Sequence, residues 1–119
     1  MRCLPFLFCL VMACSGGRTL TSVGADCDAM AAGLDRDVCN GTRLKALKAA
    51  DVDQAPVLAG KITDPMVRGE AVTTWVEAKA NCIPPEKGQA MCNLLDGRDQ
   101  SYCLRRLSAP HLQQDCTGQ

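Results

Sequence analysis

Nine cysteines are the residues of this chain with the most chemistry to offer. Such thiols can hold a metal, cycle between oxidation states, or lock a fold. Zinc sites draw ligands from close pairs such as C-x₂₋₄-C or H-x₃₋₅-H. Between Cys27 and Cys116 neighbouring cysteines have at least nine residues between them, and His111 is the only histidine. The redox pair C-x-x-C and the haem signature C-x-x-C-H are both absent. No metal and no cofactor are expected, and cross-linking is the chemistry that fits. Carboxylates stand in two close pairs, Asp35 with Asp37 and Asp51 with Asp53. Glycosidase-type work needs two carboxyls facing each other across a cleft. These pairs are local and lie near helix ends, where aspartate caps. His111 follows Pro110 with no serine or cysteine nucleophile motif, so no catalytic residue is expected. One further group stands out. Arg98, Tyr102 and Arg105 or Arg106 recur at i, i+4 and i+7 or i+8, so they share a helix face. Arginine and tyrosine anchor protein interfaces, which makes this a candidate partner-binding face. Its plainer reading is a solvated face with arginine paired to Asp96 or Asp99.

The first residues read MRCLPFLFCLVMAC, with Arg2 as their only charge. A short positive start followed by an apolar run too short for a membrane span is the pattern of a secretory signal. Val11-Met12-Ala13-Cys14 closes that run. It resembles the lipobox of bacterial lipoproteins: an aliphatic residue, a small residue, then the modified cysteine. The resemblance implies that residues 1–13 are a signal peptide and that lipid (palmitate-type acyl chains) joins the Cys14 thiol. In that family a residue other than Asp after the cysteine, here Ser15, directs the protein to the outer membrane. Residues 14–25 are then the lipidated end of a Gly/Ser/Thr-rich tether spanning about 18 Å as a random coil. A rival cut lies after Ala25, where Val23-Gly24-Ala25 fits a small-x-small site.

Either cut leaves six cysteines: Cys27, Cys39, Cys82, Cys92, Cys103 and Cys116. An even set in a small exported domain reads as three disulfides. Spacing leaves fifteen connectivities open. The turns at Gly33 and Asp96-Gly97 favour Cys27–Cys39 and Cys92–Cys103, with Cys82–Cys116 remaining. Cys82-x₉-Cys92 also resembles one arm of the twin C-x₉-C hairpins of the mitochondrial intermembrane space. Cys103-x₁₂-Cys116 does not match the other arm, and Pro84-Pro85 splits the first.

The elements that must position these residues are helical. In residues 26–119 the apolar content is mostly Ala, Leu, Val and Met, with too few β-branched and aromatic residues for a sheet. The expectation is an all-α domain, a small bundle of short helices stapled by disulfides. Asp64 caps and Pro65 opens the clearest helix, with Val67, Ala71, Trp75, Ala78 and Cys82 along one stripe. Trp75 is the expected core centre. Pro84-Pro85 ends that helix and starts another over 86–95, and Asp96-Gly97 turns into a helix over 98–107. A last turn restarts at Pro110. Upstream, 27–32 and 36–50 read as helical with breaks at Gly33 and Gly41, and Asp53 as the cap of a single turn closed by Gly60.

The chain carries 13 basic and 13 acidic residues, without charge blocks. That excludes the basic excess of a nucleic-acid binder. The function expected is a membrane-anchored cell-envelope lipoprotein with a non-enzymatic binding or scaffolding role. Its partners would be the membrane, through the lipid, and an envelope protein or glycan. The alternative is a soluble secreted effector or inhibitor cut after Ala25.

Overall fold

The computed structural model describes residues 26–109 and Cys116. Cys14, the 14–25 tether, the turn after Pro110 and His111 lie outside them. Five α-helices make up the described fold, and no strand occurs among these residues. The all-α expectation holds.

Cys27–Ala29 forms only a 3₁₀ turn, capped by the Asp26 carboxylate accepting from the Asp28 N–H at 3.2 Å. The longer helix expected over 27–32 does not form, because Gly33 at φ 146° redirects the chain first. Helix α1, Leu34–Lys45, follows. Asp35 and Asp37 lie in its first turn and Arg43 and Lys45 in its last, each sign at the end the helix dipole favours. Gly41 does not break it. Gly41 is buried inside α1 and lets the helix lie close to Ala71, whose Cβ is 3.5 Å from where a Gly41 Cβ would stand. The helix ends at Lys45 instead of reaching residue 50. The Ala46 N–H closes onto the Thr42 and Leu44 carbonyls, and the chain resumes as a 3₁₀ segment, Ala49–Gln54. Asp53 lies in that segment and caps nothing. Helix α2, Ala55–Gly60, is entered through Gln54, and Asp53 pairs with Lys87 at 2.9 Å.

Helix α3, Pro65–Lys79, starts as its sequence dictates: the Asp64 carboxylate accepts the Val67 N–H at 2.9 Å, with Pro65 in the first turn. Its buried side is wider than the expected stripe. Ala71, Val72, Trp75 and Val76 are buried, Val67 and Cys82 are partly buried, and Ala78 is exposed. Such a side suits a central helix, and α3 packs against all four others. Helix α4, Pro85–Cys92, stops earlier than residue 95, where the Asn93 N–H bonds back to Gln89 and Met91. Helix α5 runs Gly97–Ser108, entered through Gly97 at φ 52°.

Trp75 is fully buried and donates its indole N–H to the Leu47 carbonyl at 2.9 Å. Around it lie Leu44, Ile62, Val72, Val76 and Met91. Among the described residues this is a core with one aromatic ring, and the disulfides supplement it. Cys27–Cys39, Cys82–Cys116 and Cys92–Cys103 are all formed. Closing loops of separation 12, 34 and 11 removes unfolded-state freedom worth ~3, ~4 and ~3 kcal/mol. Among the described residues no helix is long and apolar enough to cross a membrane.

Candidate functional site

Helices α1, α3 and α5 form a layer with α3 in the middle. Two grooves flank α3 on the outer side of that layer. One lies between α3 and α5 and has a volume of about 350 Å³. Its walls are Met66, Glu70, Thr73, Thr74 and Glu77 from α3, and Asp99 and Tyr102 from α5. Gly69 forms its floor: a Cβ there would meet the Asp99 carboxylate oxygen at 2.8 Å. The other groove, about 250 Å³, is lined by Val38, Gly41, Thr42 and Lys45 of α1 and Met66, Val67 and Glu70 of α3. Met66 and Glu70 belong to both.

This face gathers exposed apolar groups. Met66 is 81% exposed, and Leu34, Val38 and Tyr102 are also well exposed. All four lie in α1, α3 or α5, and three of them line the grooves. Single exposed apolar residues need no explanation, but a group flanking paired grooves is a candidate contact surface.

One buried carboxylate sets the spacing of α1 and α3. Asp37 is only 2% exposed. Its Oδ1 accepts the Thr63 N–H at 3.0 Å, and its Oδ2 accepts the Thr63 hydroxyl and the Asp64 N–H, each at 2.9 Å. Burial pushes its pKa up. The three donors, helped by the charge of Arg36, outweigh that and hold it below the ordinary aspartate value. Asp37 therefore does not cap its own helix; it ties the first turn of α1 to the residues that start α3. Val38 and Met66 flank that tie and line the groove beyond it.

The charges are distributed unevenly. Glu70 accepts from Lys45 at 2.9 Å and from the Thr74 hydroxyl at 3.1 Å. Arg106 turns toward α3 and donates to Glu77, with Nε at 3.0 Å. The hydrogen bond and charge of Glu77 raise the Arg106 pKa further above its ordinary value. Asp99 has no ion-pair partner among the described residues. Neither have Arg98 and Arg105, and the Arg105 guanidinium lies 5.7 Å from the Tyr102 ring centre. Of the face expected on α5, Arg98, Tyr102 and Arg105 come together on the exposed side, while Arg106 departs to α3. Arg98 makes no pair with Asp96 or Asp99; Arg106 with Glu77 is the pair that forms. The α3–α5 groove is thus bounded by three carboxylates, of which Glu70 and Glu77 are already paired and Asp99 is not, and no His, Ser or Cys among the described residues lines it. Asp99 is the carboxylate it leaves open to a cationic or hydrogen-bond-donating group.

Met66, Glu70 and Glu77 are wall residues that sequence reasoning did not single out, and Asp99 entered it only as a pairing partner for arginine. A signal existed for two of them: Glu70 and Glu77 are seven apart, hence on one face of α3. Asp37 offered none, since its partners lie 26 and 27 residues away. Among the described residues no group of three His, Cys, Asp or Glu could hold a metal ion. Comparison with protein-family models, curated proteins and solved structures finds no match.

Proposed function

We infer that the chain is an exported cell-envelope lipoprotein, anchored through Cys14, whose stapled helical domain is a binding module. The observation that carries this reading is the complete pairing of the six cysteines from Cys27 to Cys116. Three structural disulfides in a small domain belong to an oxidising compartment. Export accounts for them, and the lipobox-like Val11-Met12-Ala13-Cys14 supplies both the signal and the anchored thiol. Several acyl chains on that one cysteine would hold a soluble domain at a membrane, where a single chain binds only reversibly. Met66, Tyr102 and the grooves beside α3 support the binding role, because they offer contact area rather than a nucleophile with its base.

Intact mass tests this. The full chain is produced in a Gram-negative host, recovered from membrane and medium, and alkylated without reduction. The expected species begins at Cys14, carries acyl chains and takes up no alkyl group. An unmodified species beginning at Asp26 in the medium would overturn the anchor in favour of a secreted effector cut after Ala25. Alkylated cysteines within the domain would contradict the disulfide reading. Cys14→Ser should release the domain or stall the precursor.

A further inference from the structure

We propose that the outer side of α5 and the α3–α5 groove form a self-complementary surface on which a second copy of this chain docks, with Tyr102 at the centre. On a helix of 3.6 residues per turn, positions three and four away from Tyr102 fall on opposite sides of it. Asp99 and Arg106 therefore lie toward α3, as their contacts with Gly69 and Glu77 show. Arg98 and Arg105 lie on the far side, exposed and without an ion-pair partner among the described residues. Tyr102 separates a groove whose unpaired charge is the Asp99 carboxylate from an edge that carries two unpaired guanidinium groups.

A twofold axis running along α5 through Tyr102 exchanges those two sides. It lays the basic edge of each copy over the groove of the other. Arg98 then meets the second copy's Asp99, which has no ion pair of its own among the described residues, and Arg105 approaches the second copy's Glu77, whose carboxylate already accepts from Arg106. Each contact occurs twice, as an isologous interface requires. A foreign basic peptide would satisfy the groove alone and leave Arg98 and Arg105 unmatched. An anionic glycan would do the reverse. Only a partner carrying both signs, in this order, satisfies the whole face, and a second copy carries them. Apolar contact comes from Tyr102, which is 46% exposed, and from Met66 at the groove wall. Helix α5 has 12 residues and is about 18 Å long, so the contact belongs to the small, transient class. Docking of this kind needs no lipid, so it can fail while the anchor stands, and the reverse.

The test is sedimentation equilibrium of the full chain at low salt, in detergent with micelles in large excess over protein. Wild type should associate reversibly to a dimer. Arg98→Glu sets a carboxylate opposite Asp99 in both contacts, and Asp99→Arg sets a guanidinium opposite Arg98 in both. Each variant alone should lose about tenfold or more in self-affinity. An equimolar mixture of the two should dimerise again, since every cross-contact then joins opposite charges. A folding defect cannot be repaired by mixing, which keeps the outcome independent of any effect on stability. A monomeric wild type, single variants that associate as wild type does, or a mixture that stays monomeric would each overturn the proposal. Binding of an oligo-arginine peptide to a monomeric wild type would assign the groove to a foreign basic partner instead.

Discussion

Replacing Asp37 with Asn tests how the two walls of the α1–α3 groove are held together. The side chain keeps its size but exchanges one acceptor oxygen for an NH₂ group. With the remaining oxygen in the Oδ2 position, the Thr63 hydroxyl and the Asp64 N–H keep an acceptor, now neutral. The Thr63 N–H then faces a donor where Oδ1 had stood. A hydrogen bond to a charged group is worth about 1.5–3 kcal/mol, and the two survivors weaken as the charge disappears. A neutral amide is less costly to bury, which returns part of this. The net loss expected is about 2–4 kcal/mol. Urea unfolding with the disulfides intact should show it as a lower midpoint at unchanged slope. The pH dependence provides a second readout. The folded pKa of Asp37 is lowered from 3.8, so its contribution is fully present above that value. It disappears as pH falls through 3.8 and then through the lowered folded value. Asp37→Asn should therefore be destabilised at neutral pH and lose less than wild type on acidification. A loss under 1 kcal/mol, or an acid limb as steep as that of wild type, would refute the account of Asp37 as the tie between α1 and α3.

Two glycines in helix interiors should respond in opposite directions. Gly41→Ala puts a methyl group 3.5 Å from Ala71 Cβ, an ordinary contact, so the gain in helix propensity should raise stability by about 0.5–1 kcal/mol. Gly88→Ala brings its Cβ to 2.7 Å from a Leu107 methyl and should cost about 1–3 kcal/mol, both changes being read from urea midpoints. Under mild reduction without denaturant, Cys82 and Cys116 should be the first thiols to label. Cys116 is exposed and Cys82 partly buried, whereas the other four cysteines are at most 1% exposed. Mass spectrometry that found Cys92 or Cys103 labelled first would contradict the burial described for α4 and α5.

The parts of the fold legible in sequence are those whose causes are local. Asp64-Pro65 starts α3 through groups within three residues, and Pro84-Pro85 separates α3 from α4 by removing backbone donors. The same locality made two disulfides readable. Gly33 and Gly97 both have positive φ, both open a helix, and each lies six residues before the second cysteine of its pair. The third pair followed by elimination. What escaped depends on partners distant in sequence. Gly41 resembles a break until Ala71 lies beside it. Asp53 resembles a cap until Lys87 reaches it. Asn40 is fully buried with neither amide atom hydrogen-bonded among the described residues, a cost nothing in its neighbours along the chain announces. The grooves were illegible for the same reason, since their walls come from three helices. On α5 the spacing of Arg98, Tyr102 and Arg105 was readable, but the diversion of Arg106 was not, because Glu77 lies 29 residues away.

The covalent staple also explains how α5 can present a face at all. Cys103 is its only fully buried residue, with Leu104 and Leu107 partly buried against the core. That much apolar burial is little to hold a 12-residue helix in one place. Three attachments of different kinds supplement it: Cys103 is bonded to Cys92, Leu107 fills the space over Gly88, and Arg106 bridges to Glu77. All three act from the side of α5 that faces α3 and α4, which leaves Arg98, Tyr102 and Arg105 outward in a fixed arrangement. A face fixed in advance loses less freedom on docking, which is where a small contact gains most. The geometry of the face should therefore depend on the oxidation of Cys92–Cys103 and little on that of Cys82–Cys116. Because the first pair is buried and the second accessible, reduction mild enough to open only Cys82–Cys116 should leave docking intact. Opening Cys92–Cys103 should abolish it before α1–α3 unfold.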